Sequence, residues 1–243
     1  MQSDRFTDEQ RRYFRDADGA HFRFQTGGGP VADAEARLLA AVTVEPGERL
    51  LEVGCGEGGN LHHLEGRGAR RFGVDFSLAK ARFAQQATAA PCAAADATRL
   101  PFRDGVFDAV LIRDLLHHLP DRLAALGEAR RVLRPGGRLT LIEPNRYSPL
   151  ILAQATLLPA ERGVLASHGP RLVGEVAAAG FVGLSLEAAQ PLPLSRLLCH
   201  PMLPLARLAG HPAFARLIGA LEERLAVLPT WSWMYLVVHG ERP

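Results

Sequence analysis

The chain has 243 residues, 47% apolar and 22% charged, with a formal net charge of +2. That length suits one domain with insertions and is enough to bury a proper core, and so small a net charge gives no reason to expect a polyanionic partner. Cys55, Cys92 and Cys199 lie far apart with no CxxC pair, which argues against a disulfide framework or a cysteine zinc site and fits a reducing cytoplasm. The charged N-terminus lacks the apolar stretch of a signal peptide, and no run of about 18 apolar residues suggests a membrane span.

In chain order, residues 1–30 read as a polar cap carrying Tyr13, Phe14, Phe22 and Phe24, closed by Gly27-Gly28-Gly29-Pro30. Residues 31–42 have helical spacing. From residue 49 short apolar strands alternate with helices: RLLEVGCG, then a helix through GNLHHLEGRG, the strand RRFGVDFS, and the helix LAKARFAQQATAA. A short strand in CAAADATRLPF follows, then FDAVLIRDLLHHL as strand and turn. The amphipathic DRLAALGEARRVL closes in Arg134-Pro135-Gly136-Gly137, and RLTLIEPN is a fifth strand. Such alternation implies right-handed crossovers and a largely parallel sheet. Beyond residue 145 it breaks down. Residues 145–170 are apolar with prolines, 171–179 look helical, 181–189 and 233–241 look like strands, and 190–230 are apolar with several short helical stretches.

Gly54, Gly56 and Gly59 follow the first strand and open a helix. Glycine there permits a tight turn and close approach of a ligand to the backbone, and the helix start favours an anion. Asp75 ends the next strand about 20 positions on, where a carboxylate can hold ribose hydroxyls. The glycines alone fit a nicotinamide dinucleotide as well. Asp96, ahead of Leu100-Pro101-Phe102, is placed to accept from an adenine amino group, and Phe76 offers a wall to a purine face.

LLEVGCGEGGN, FGVDFS, AADATRLPF, FDAVLIRDLLHHLPD and RRVLRPGGRLTLIEPN, over residues 49 to about 145, resemble the successive motifs of class I S-adenosylmethionine-dependent methyltransferases of the small-molecule, type 11-like kind. The resemblance implies a Rossmann-like α/β fold: seven strands, mostly parallel, the last antiparallel beside the fifth, with helices on both faces and helical lid inserts. It implies one methyltransferase domain over 1–243, with a cap at 1–30, a cofactor-binding core at 31–145 and substrate-side inserts at 146–170 and 190–230. The implied cofactor is S-adenosylmethionine, with S-adenosylhomocysteine as product. Glu52 would organise the methionine amine, and Gly54, Cys55 and Gly56 would pass close to the methionine and ribose. Asp75 would hold the ribose, Phe76 would border adenine, and Asp96 with Ala97 would read its edge. Arg113 stands where a backbone carbonyl contacts the methionine amine; the family often has a small polar or acidic residue there, so the side chain is expected to reach the substrate or a carboxylate.

Methyl transfer from a sulfonium needs mainly positioning and exclusion of water, and a base only when the acceptor must lose a proton. His117 or His118 is the candidate base. Adjacent histidines on a helix point to different faces, so neither His62-His63 nor His117-His118 is expected to chelate a metal. Glu143, Asn145, Arg146 and Tyr147 follow the fifth strand and, with His168 and Arg171 beyond, are the candidates for the acceptor side. The 190–230 insert carries Arg196, Arg207, Arg216 and Arg224 among apolar residues, which reads as a helical lid or as an apolar acceptor pocket with peripheral membrane contact. The acceptor is expected to be a small molecule, apolar or lipid-like. Nucleic acid is not expected, since no base-flipping motif and no basic stripe is present. The alternatives are a nicotinamide-dependent oxidoreductase, for which no Tyr-x-x-x-Lys is found, and a non-catalytic S-adenosylmethionine-binding protein.

Overall fold

The computed structural model describes residues 16–199 and 207–243; Tyr13 and Phe14 of the cap lie outside that range. Two helices, α1 (Ala20–Thr26) and α2 (Gly29–Leu39), precede the sheet. The alternation then runs β1 (Arg49–Val53), α3 (Gly59–His63), β2 (Arg70–Asp75), α4 (Leu78–Thr88), β3 (Cys92–Ala94), β4 (Phe107–Arg113), α5 (Arg122–Val132) and β5 (Leu133–Pro144). After it come α6 (Pro149–Leu157), a 3₁₀ segment (Pro159–Ala166), α7 (Gly169–Ala178), β6 (Val182–Ala189), α8 (Leu194–Leu198), α9 (Pro212–Arg224) and β7 (Tyr235–Glu241).

The seven strands lie in the order β3-β2-β1-β4-β5-β7-β6. β7 runs antiparallel to both β5 and β6, and the other pairs are parallel, as the resemblance implied. β1 and β4 are buried on both faces, which is why they read as unbroken apolar runs. On one face Val53, Val110, Ile112 and Leu141 pack against Leu126 of α5 and Leu172 and Val176 of α7. On the other, Leu50, Leu111, Ile142 and Val237 pack against Leu38 and Leu39 of α2 and Ile151 of α6. α4 and α5 start on side-chain caps, Ser77 accepting from Lys80 N–H and Asp121 from Ala124 N–H.

Two boundaries differ most from the sequence reading. α3 stops at His63 and gives way to a 3₁₀ turn at Glu65–Arg67. β5 begins at Leu133 rather than after Gly137, because Gly136 N–H donates to Arg242 O (2.7 Å) and Arg242 N–H to Gly137 O (2.9 Å), which continues the β7 ladder past the expected turn. Among the described residues no helix is long and apolar enough to cross a membrane.

Strand order reverses at β1, which has β2 on one side and β4 on the other. In such a sheet a crevice opens at the carboxyl ends of these strands.

Candidate active site

A cavity of about 1070 Å³ opens there. One half is lined by Gly54, Cys55, Gly56, Asp75, Phe76, Asp96 and Ala97, and the other by Arg113, Asp114, His117, Ile151, Leu158, Glu161, Arg196 and Tyr235.

Gly54 and Gly56 adopt left-handed backbone, with φ of 80° and 51°. A Cβ on Gly54 would stand 3.0 Å from a Leu115 methyl, whereas one on Gly56 would meet nothing within 4 Å. The Gly56 backbone therefore faces open space, where a ligand can lie against it. Asp75 ties this turn to β2, its Oδ2 accepting from Gly56 N–H (2.9 Å) and its Oδ1 from Ser77 N–H (2.8 Å). Burial raises the Asp75 pKa against the pull of these two amides. Phe76 stands exposed beside it. Asp96 closes a tight turn, accepting from the Thr98 amide (2.8 Å) and hydroxyl (2.7 Å).

Beneath the turn runs a buried polar chain. Asn60 Nδ2 donates to Glu52 Oε1 (2.6 Å), and Arg113 Nη1 donates to Asn60 Oδ1 (2.8 Å) and to Glu35 Oε2 (2.6 Å). Arg196 from α8 bonds the other Glu35 oxygen. Arg113 thus reaches carboxylates, one of the two expected alternatives, and Asp114 Oδ2 stands 3.2 Å from its Nε. Burial alone would raise the Glu35 pKa, but Arg113 and Arg196 outweigh it and hold the carboxyl at about 2. Glu52 has no such partner. Its Oε2 is buried without a hydrogen bond, and burial lifts its pKa to about 8 despite Asn60 and Arg113. Asp114 has left-handed backbone (φ 50°) and accepts from the Tyr235 hydroxyl (3.2 Å).

His117 and His118 occupy a 3₁₀ turn at Leu116–His118. Wholly buried Glu143 organises it: Oε1 accepts from Leu115 and Leu116 N–H (2.9 and 2.8 Å), and Oε2 bonds His117 Nδ1 (2.8 Å). Burial would lower the His117 pKa, but Glu143 raises it to about 10. Burial and the neighbouring His117 lower His118 to about 3. Neither value is near 7, where a general base works best. The two rings do not diverge as expected: their centroids are 3.9 Å apart, because the turn is 3₁₀ and not α-helical.

Asn145, Arg146, Tyr147 and His168 are not among the residues lining the cavity, and neither is Glu52, which lies buried beneath the turn. Asn145 is buried and donates to the carbonyls of Trp231 (2.7 Å) and Trp233 (2.9 Å), so it joins β5 to the approach of β7. Arg146 lies over the exposed Tyr147 ring, and His168 stands at the N-cap of α7. The sequence reading missed Glu35, Asn60, Glu161 and Tyr235. It also missed Glu57, which accepts from the amides of Asp18, Gly19 and Phe22 and so docks α1 beside the cavity, where His21 and Gln25 line it.

Residues 51–141 match the family model described as a methyltransferase domain. That segment is a methyltransferase domain by its match to this model. The chain is 43% identical over 103 residues to a demethylmenaquinone methyltransferase of Mycolicibacterium vanbaalenii, an alignment covering 42% of this chain and 45% of that protein. It is 41% identical over 116 residues to the protein of the same name from Mycobacterium tuberculosis, covering 48% and 49%. The chain thus spans about half the length of the curated relatives it matches. Among solved structures, the phosphoethanolamine N-methyltransferase 2 of Haemonchus contortus with S-adenosyl-L-methionine superposes with a TM-score of 0.70 at 19% identity, covering 98% of this chain and 60% of that one. The geranyl diphosphate C-methyltransferase of Streptomyces coelicolor superposes at 0.65 and 17% identity, covering 98% of each. These superpositions place the methyltransferase domain and its flanking segments in one shared fold.

Proposed function

We propose that this protein transfers a methyl group from S-adenosylmethionine to a small, largely apolar acceptor. The observation that carries the reading is a single cavity that runs from the glycine turn to an apolar wall of Ile151, Leu158, Val164 and Met234. The nucleoside half fits the cofactor. The open face at Gly56 admits a ligand, Asp75 stands where ribose hydroxyls would donate, and Asn60, which lines the cavity, is held from beneath by the carboxyl of Glu52.

When bound, the cofactor supplies a methyl carbon already activated by its sulfonium. The protein's own part is placement. Asn60, held by Glu52, and the turn hold the amino-acid end, Asp75 the ribose, and Phe76, Asp96 and Ala97 the base. α1, docked through Glu57, limits access of water from one side. The names of the relatives, which mention demethylmenaquinone and geranyl diphosphate, support an acceptor with an apolar body. Leu217, Leu221, Val227 and Trp231 are exposed near Arg216 and Arg224, which suits collection of such an acceptor at an anionic membrane surface.

Calorimetry with S-adenosylhomocysteine and with NAD tests the cofactor, and release of S-adenosylhomocysteine in the presence of prenylated hydroxyarenes tests the acceptor. Binding of NAD in preference to S-adenosylhomocysteine overturns the reading. So does full activity with polar acceptors and none with prenylated ones. Failure to sediment with anionic vesicles removes the membrane part alone.

A further inference from the structure

The acceptor half holds a side-chain cluster for which the placement argument has no use. His117, His118 and Glu161 each offer one ligand atom, and these atoms lie within 4.8 Å of one another. We propose that the three residues bind one divalent transition-metal ion of the zinc class in the wall of the acceptor cavity.

His117 Nε2 is buried and has no hydrogen-bond partner; Glu161 Oε2, 3.5 Å away, is too distant for a good one. A buried polar atom left in this state is costly unless something else bonds it. The opposite nitrogen is already committed. A carboxylate accepts, so Nδ1 carries the proton that bonds Glu143, and an ion that takes Nε2 as its ligand displaces the second proton of the charged ring. A carboxylate behind a histidine is the usual support of a metal-bound imidazole, fixing its ring and raising its basicity. Glu143 is itself held by the amides of Leu115 and Leu116, so this support is rigid.

The His117–Glu161 spacing fits an ion. With metal–ligand lengths of about 2.0–2.1 Å, an Nε2–Oε2 separation of 3.5 Å corresponds to an angle of roughly 115° at the metal, close to tetrahedral. The backbone is arranged to keep that spacing. Gly163 lies so close to the His117 carbonyl that any Cβ would collide with it, and this contact brings the 3₁₀ segment bearing Glu161 up to the histidine turn. Arg122 Nη2 bonds the Gly163 carbonyl and the Ser167 hydroxyl, both at 3.4 Å, which clamps the same segment.

Two imidazoles and one carboxylate suit zinc or ferrous iron, not magnesium or calcium, which prefer all-oxygen shells. Three protein ligands leave a coordination position open towards the cavity, as catalytic sites do. The use of that position rests on the methyl-transfer reading. An ion there lowers the pKa of a phenolic or enolic hydroxyl on the acceptor, and its proton passes to water. The oxygen lone pair then bonds the methyl carbon as the carbon–sulfur bond breaks and its electron pair goes to sulfur.

The test uses the full chain, stripped with chelator and titrated with CoCl₂ and then ZnCl₂. One Co²⁺ per chain is expected, with visible absorption of a four- or five-coordinate site that Zn²⁺ abolishes. His118→Ala and Glu161→Gln should each weaken Co²⁺ binding at least about tenfold while S-adenosylhomocysteine affinity changes by less than about twofold. The absence of a one-to-one Co²⁺ site in the wild type overturns the proposal, and so does a site that both variants leave unchanged. The S-adenosylhomocysteine measurement separates the two readings. Binding of Co²⁺ without S-adenosylhomocysteine overturns methyl transfer and supports the metal site, and the reverse result overturns the metal site alone.

Discussion

Glu52 offers the most quantitative test of the cofactor half. Its carboxyl is fully buried at the end of β1 with one oxygen unpaired, and burial raises its pKa from 4.5 to about 8. The folded state therefore keeps a proton that the unfolded chain gives up above pH 4.5. Stability from this group is fully present below pH 4.5 and is lost as pH rises through about 8. At 1.36 kcal/mol per pH unit, the loss accumulated between pH 5 and pH 7 is about 2–3 kcal/mol. Glu52→Gln keeps the acceptor for Asn60 and cannot ionise, so the variant should lack this slope. Urea unfolding of both proteins at half-unit steps from pH 5 to 8 measures it, with the difference between the curves growing in the variant's favour. Parallel curves would refute the assignment of a buried, unpaired carboxyl. The same group predicts proton release on ligand binding. At pH 7 Glu52 is mostly protonated, and a cationic amine bound against its partner Asn60, which lines the cavity, should favour the ionised form. Calorimetry in buffers of different ionisation enthalpy should show more proton release from the wild type than from Glu52→Gln.

Arg113→Met should cost about 3 kcal/mol in urea, because it leaves buried Glu35 with Arg196 alone. Glu35 has its folded pKa depressed to about 2, so its contribution is present above pH 4.5 and lost as pH falls towards 2, and Glu35→Gln should flatten acid unfolding in that window. Gly163→Ala forces a methyl against the His117 carbonyl and should lower stability by about 1–3 kcal/mol, read as a drop in Tm. Glu57→Gln weakens the acceptor that holds three amides of the α1 entry; hydrogen exchange at Asp18, Gly19 and Phe22 should accelerate, with the centre of the sheet unaffected.

The division between what was legible and what was not follows the range of the interactions. Gly54, Gly56 and Asp75 could be placed from sequence because adjacent parallel strands bring their ends together: Val53 pairs with Val74, and Gly56 N–H then reaches Asp75. The Leu-Arg-Pro-Gly-Gly segment marked β5 for the same local reason, although its pairing with Arg242 extended the strand over the expected turn. The acceptor half is built from distant pairs. Arg196 and Glu35 stand 161 positions apart, and nothing local in either segment announces the other. The position of Asn145, Arg146 and Tyr147 just after the fifth strand suggests the acceptor side. However, Arg146 N–H donates to Ser167 O and Asn145 grips the residues before β7, so the chain turns away from the cavity at that point. The histidine pair shows how a sound rule can be applied to the wrong helix. Divergence of adjacent side chains holds on a regular α-helix, but here Glu143 collects the amides of Leu115 and Leu116 and tightens the turn to 3₁₀. That carboxylate lies at the end of β5, so the conformation of the turn after β4 is set by the neighbouring strand and not by its own residues. The one local sign that remained was Gly163. A glycine in an apolar, proline-punctuated segment has little reason to be there unless another backbone must pass close, and the His117 carbonyl is the backbone that does.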